Sequence, residues 1–155
     1  MPYSNVKSKD ATEVRAPARG DVPRETQPAI PSTSTARRRL ALLVDGDPVS
    51  VRLCRETLER MEFVIERVDS GVAAVVAARG RAPDLILMDF QLRDVTAGET
   101  IGWLRSNQAL TSVPIIVLGI ADGSRLPVKD PRAMVAIGKP LSPAAIERAV
   151  RHLCG

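Results

Sequence analysis

Short apolar runs alternating with amphipathic stretches fill residues 40–155. Leu40-Ala41-Leu42-Leu43-Val44 is apolar at every position and is closed by Asp45-Gly46-Asp47-Pro48. A run apolar on both faces predicts a buried parallel strand. Asp47 suits the N-cap of a following helix and Pro48 its first position. That helix carries Val51, Leu53, Cys54, Leu58 and Met61 among Arg and Glu. Residues 63–68 predict a second strand, and residues 70–79 an Ala/Val helix ended by Gly80 and Pro83.

The cycle repeats through a third strand at 84–88 that ends at Asp89, a helix at about 97–107 and a fourth strand at 114–118. A fifth strand at 133–137 precedes a last helix at 142–153, with Ser142 as cap and Pro143 at its first position. Five strands alternating with helices predict a doubly wound, flavodoxin-like α/β domain on one five-stranded parallel sheet. The unit between strands four and five breaks the rhythm. Residues 119–131 hold two glycines and two prolines, which predicts a short or irregular fourth helix.

Residues 1–38 lack apolar periodicity. The first 39 residues contain five prolines and a Ser-Thr run at 32–35. Such a segment buries too little surface to offset its ordering entropy and reads as a disordered Pro/Ser/Arg-rich tail, leaving 39–155 as the folded domain. Charge divides at the same place. Residues 1–39 carry eight basic and four acidic side chains, whereas 40–155 carry 14 of each sign. The net charge of +4 therefore lies in residues 1–39, and no nucleic-acid-binding role is expected of the neutral remainder. No apolar stretch is long enough to span a membrane and none has the make-up of a secretory leader, so a cytoplasmic location is expected. Cys54 and Cys154 lack metal or redox spacing, and the single histidine, His152, lies near the C-terminus, so zinc and histidine-dependent nucleophilic chemistry are excluded.

In an open parallel sheet, ligands bind beyond the carboxyl ends of the strands. Asp45 and Asp47 follow strand one, Asp89 ends strand three and Lys139 follows strand five, so all four are expected at one edge. Carboxylates without a histidine suit Mg²⁺, and a nearby lysine suits an anionic oxygen in phosphoryl transfer.

Leu42-Leu43-Val44-Asp45-Gly46-Asp47-Pro48, Asp84-Leu85-Ile86-Leu87-Met88-Asp89, Pro114-Ile115-Ile116-Val117-Leu118 and Gly138-Lys139-Pro140 together resemble the receiver domain of two-component response regulators, in order and near the right spacing. The resemblance implies Asp89 as phosphoacceptor, a histidine kinase or histidine phosphotransfer protein as donor, and Lys139 as contact to the phosphoryl group. It implies Asp45, Asp89 and the Gln91 backbone carbonyl as Mg²⁺ ligands, with Asp47 a further candidate, and a cis Lys139–Pro140 bond. Such a protein is not an enzyme beyond its own phosphotransfer and autodephosphorylation. No output segment follows residue 155, so signalling through a downstream protein partner is expected.

The sequence departs from the family pattern at several of these positions. The second acid after strand one is Gly46, the switch hydroxyl is Gly119 and the switch aromatic is Ala136. The usual proline after the phosphoacceptor is Arg93, and the loop glycine is Ala97. Gly46, Gly119 and Ala136 favour a second reading, a degenerate receiver that binds its partner without phosphorylation, while the retained Asp89 and Lys139 favour the first. A third is a haloacid-dehalogenase-like phosphatase with Asp45 as nucleophile and Asp47 as acid/base, because Asp45-Gly46-Asp47-Pro48-Val49 also resembles that family's first motif. Glu147, within a helix, is the sole acid after Lys139, which leaves that reading short of metal ligands.

Overall fold

The computed structural model describes residues 37–120 and 134–155. The tail expected at 1–38, up to residue 36, and most of the irregular unit expected at 119–131 lie outside the described residues.

The elements run β1 (Arg39–Val44), α1 (Pro48–Arg60), β2 (Phe63–Val68), α2 (Gly71–Gly80), β3 (Leu85–Asp89), α3 (Ala97–Arg105), β4 (Ile115–Leu118), β5 (Met134–Ile137) and α4 (Pro143–Cys154). The strands form one five-stranded sheet in the order β2-β1-β3-β4-β5, with every neighbouring pair parallel. The strand order reverses at β1/β3, and this switch point opens a crevice at the carboxyl edge.

Alternation along the strands sorts the core into two layers. Leu42, Val44, Ile86, Met88, Ile115 and Val117 pack with Ala74, Ala78, Ile101 and Leu104 of α2 and α3. Ala41, Leu43, Leu85, Leu87, Ile116 and Leu118 pack with Cys54, Leu58, Ile146 and Val150 of α1 and α4. Burial on both faces explains why β1, β3 and β4 read as continuous apolar runs. Cys54 is wholly buried there, and burial pushes its thiol up to about 12, so it acts as core.

Two details differ from the sequence-based expectation. The third helix stops at Arg105, and a 3₁₀ turn at Gln108–Leu110 follows, with Asn107 accepting from the Ala109 N–H. Arg105 Nη1 donates to the carbonyls of Leu110 and Val113, tying this turn to the helix end. Asp84 precedes β3 rather than starting it. Its N–H donates to the Leu40 carbonyl, and its Oδ2 accepts from the Leu40 N–H at 2.7 Å.

Candidate phosphoryl site at the carboxyl edge

Asp45 leaves β1 at its carboxyl end, where its N–H donates to the Val68 carbonyl of β2. The side chain is 1 % exposed. Oδ1 accepts from the Asp47 N–H at 2.8 Å, while Oδ2 is buried without a hydrogen-bond partner. Burial pushes the carboxyl up to about 6. The Asp47 N–H opposes that rise, the charges of Asp89 and Asp47 add to it, and Lys139 works against it. An orphaned, desolvated carboxylate oxygen is the local condition a bound cation relieves.

Asp89 ends β3 and is half-buried, with Oδ1 accepting from the Gln91 N–H at 3.1 Å. Lys139 follows β5 and reaches the same place. A Cβ built on Gly119, just past β4, would lie 3.2 Å from Lys139 Cε and 3.5 Å from Asp89 Oδ1. Gly119 has φ +85° and its N–H donates to the Ile137 carbonyl. The lysine stem thus crosses over the missing side chain of residue 119. The Lys139–Pro140 bond is cis.

Asp47 is exposed and faces the helix it precedes. One oxygen accepts from the Val49 N–H at 3.3 Å and the other from Ser50 Oγ at 3.0 Å, and these bonds hold its carboxyl below the usual carboxylate range. Both oxygens are therefore engaged in capping α1. As an acid/base for a phosphatase, Asp47 is turned the wrong way.

Gly46 has room for a side chain, since a Cβ there would meet nothing closer than Arg93 Nε at 3.8 Å and Asp69 Cβ at 3.9 Å. Among the described residues, no group of three or more His, Cys, Asp or Glu is placed to hold a metal. Mg²⁺ keeps several waters and takes one or two carboxylates. Asp45 and Asp89 supply that number, and the orphaned Oδ2 of Asp45 makes the pair a fitting donor set.

The loop after Asp89 is anchored to a neighbouring helix. Asp94 reaches the N-terminus of α2, with Oδ1 accepting from the Gly71 N–H at 2.9 Å and Oδ2 from the Val72 N–H at 3.0 Å. A reciprocal capping box between Thr96 and Glu99 then starts α3 at Ala97. The T-x-x-E spacing signals that box, whereas nothing local in the sequence marks the Asp94 contact. Ala136 is exposed on β5 opposite Val117. With Ala145, Arg148, Ala149 and His152 it lines a shallow groove in place of an aromatic ring.

Fold and site together define a flavodoxin-like α/β domain with an acidic, lysine-bearing edge. The response regulator receiver domain model matches residues 41–151, and the chain belongs to that family. The polar-differentiation response regulator DivK of Brucella ovis is 30% identical over 115 residues, covering 72% of this chain and 94% of its own. DivK of Brucella anthropi matches to the same extent. Among solved structures, the chemotaxis response regulator CheY4 of Vibrio cholerae superposes with a TM-score of 0.66 at 18% identity, over 76% of this chain and 99% of that one. The receiver domain of a sensor histidine kinase of Pseudomonas aeruginosa PAO1, with magnesium coordinated in its active-site cleft, gives a TM-score of 0.64 at 24% identity, over 76% and 98%. The chain is thus a receiver of two-component signal transduction, homologous to DivK. No helix among the described residues is long and apolar enough to cross a membrane.

Proposed function

We propose that Asp89 accepts a phosphoryl group from a phosphohistidine of a histidine kinase or phosphotransfer protein, and that the protein signals by binding a downstream protein. One observation carries this reading: the half-buried carboxylate of Asp89 lies beside the Lys139 stem and shares its crevice with the buried, incompletely bonded Asp45. With Oδ1 held by the Gln91 N–H, the other oxygen of Asp89 is left to attack phosphorus. The N–P bond breaks, its electron pair stays on the imidazole, and Asp89 becomes an acyl phosphate. Asp45, Asp89 and the Gln91 carbonyl would hold Mg²⁺, while Asp47 stays on its helix. When bound, Mg²⁺ spreads the negative charge of the phosphoryl oxygens. Lys139 supplies a point charge for one of those oxygens.

The protein works in the cytoplasm with no catalytic activity beyond this self-phosphorylation and its reversal. Residues 39–155 form the receiver, and 1–38 are an appended tail without apolar periodicity. Gly119 and Ala136 carry neither the hydroxyl nor the aromatic ring of the usual switch, so the phosphoryl signal reaches the β4–β5 face weakly.

Incubating the full chain with a small phosphodonor and Mg²⁺, then measuring its intact mass, tests the assignment. One phosphoryl adduct, absent from Asp89→Asn, is expected. No adduct on the native chain would leave the degenerate receiver, which binds without phosphorylation and which Gly46, Gly119 and Ala136 favour.

A further inference from the structure

Three observations converge on Arg93. Its Nε lies 3.8 Å from the point where a residue-46 side chain would begin, so its guanidinium stands beside the backbone between Asp45 and Asp47. Its backbone is bracketed by fixed points, because Gln91 is bonded to Asp89 Oδ1 and Asp94 is bonded to the Gly71 and Val72 N–H groups. Among the described residues, no ion pair engages Arg93, although the buried Asp45 Oδ2 of the same crevice lacks a hydrogen bond.

An exposed guanidinium beside Gly46, with no ion pair to a carboxylate among the described residues, is suited to an anion. It carries a permanent charge and several donors matched to phosphate oxygens. We propose that Arg93 is the pocket's second phosphoryl-binding cation, reaching across Gly46 to the anionic oxygens of the group on Asp89. This rests on the reading of Asp89 as phosphoacceptor. Gly46 and Arg93 then act as a pair. The glycine lowers the negative charge offered to a metal and clears the space, and the arginine places positive charge on the phosphoryl side. The pocket trades metal affinity for direct anion affinity. Lys139 lies beside Asp89 past Gly119, whereas Arg93 would reach the phosphoryl oxygens from the β3–α3 loop, beside Gly46.

The test is a pair of titrations on the full chain followed by amide NMR: Mg²⁺ alone, then beryllofluoride at saturating Mg²⁺. Arg93→Ala is expected to weaken beryllofluoride by about tenfold or more, the usual effect of losing a charged hydrogen bond. Its Mg²⁺ affinity should stay equal or tighten, because a nearby positive charge has gone. Arg93→Lys is expected to recover part of the loss, and retained amide dispersion reports that each variant folds. Unchanged beryllofluoride affinity in Arg93→Ala would overturn the proposal. So would a parallel loss of Mg²⁺ affinity, which marks a merely structural role. Failure of the native chain to bind beryllofluoride would instead remove the phosphoacceptor reading, and the Arg93 proposal with it.

Discussion

At Asp45, burial works against the charged form of the carboxyl. Without a cation its carboxyl is raised from 3.8 to about 6, chiefly by burial. Between those values the folded state holds more protons than the unfolded one. Its contribution to stability is therefore full below about 3.8 and is lost as pH rises through about 6. Asp45→Asn should stabilise the metal-free protein at about pH 8 by roughly 2–3 kcal/mol, and hardly at all at about pH 4, in urea unfolding. With Asp45 as a proposed Mg²⁺ ligand, the same substitution should also abolish any stabilisation of the native chain by added Mg²⁺. Gly46→Asp has room to fit and should tighten Mg²⁺ by roughly tenfold in the same titration. Gly119 behaves differently. Its φ of +85° disfavours any L side chain, and an added Cβ would press on Lys139 Cε. Gly119→Ala should therefore cost about 1–2 kcal/mol, and Gly119→Thr cannot simply restore a switch hydroxyl.

At the scale of elements, the β3–α3 loop is positioned by α2 as much as by its own sequence. Asp94 serves two N–H groups at the start of α2, and Ser70 Oγ accepts a third from Ala73. Three of the four N–H groups a helix start leaves open are thus satisfied. Asp94→Ala should speed amide exchange at Gly71 and Val72 and loosen the loop that carries Gln91 and Arg93, weakening Mg²⁺ binding in proportion. Gly71 shares this corner. A Cβ there would collide with Thr100 Oγ1 and Val95 Cγ2, so Gly71→Ala should cost about 1–3 kcal/mol in urea unfolding. Neither constraint was legible beforehand, since both join residues far apart in sequence. The capping of α1 by Asp47 and Pro48 and of α4 by Ser142 and Pro143 was legible, because caps are local.

For the whole molecule, the doubly wound order was legible because each strand is a short apolar run bounded by turn residues, with a helix between strands one, two, three and four. The parallel sheet then follows from right-handed crossovers. The sequence also pointed to which residues would share the carboxyl edge, since Asp45 follows β1, Asp89 ends β3 and Lys139 lies just past β5. It did not reveal that Asp45 Oδ2 would be buried without a partner, or that Arg93 would stand over Gly46. Both depend on how loops close over the sheet, which hydrophobic periodicity does not encode. The resulting molecule brings Asp45, Asp89 and Lys139 to one edge, the site proposed to accept the phosphoryl group, and carries Gly119 and Ala136 at the positions of the usual switch hydroxyl and aromatic ring.

The most direct test of that account is the amide spectrum of the full chain with Mg²⁺ and beryllofluoride, beside Asp89→Asn. The account predicts saturable, Mg²⁺-dependent shifts at Asp45, Asp89, Gln91 and Lys139 that fade toward Ala136 on β5 and vanish in Asp89→Asn. Identical spectra with and without the anion, or shifts that survive in Asp89→Asn, would contradict it.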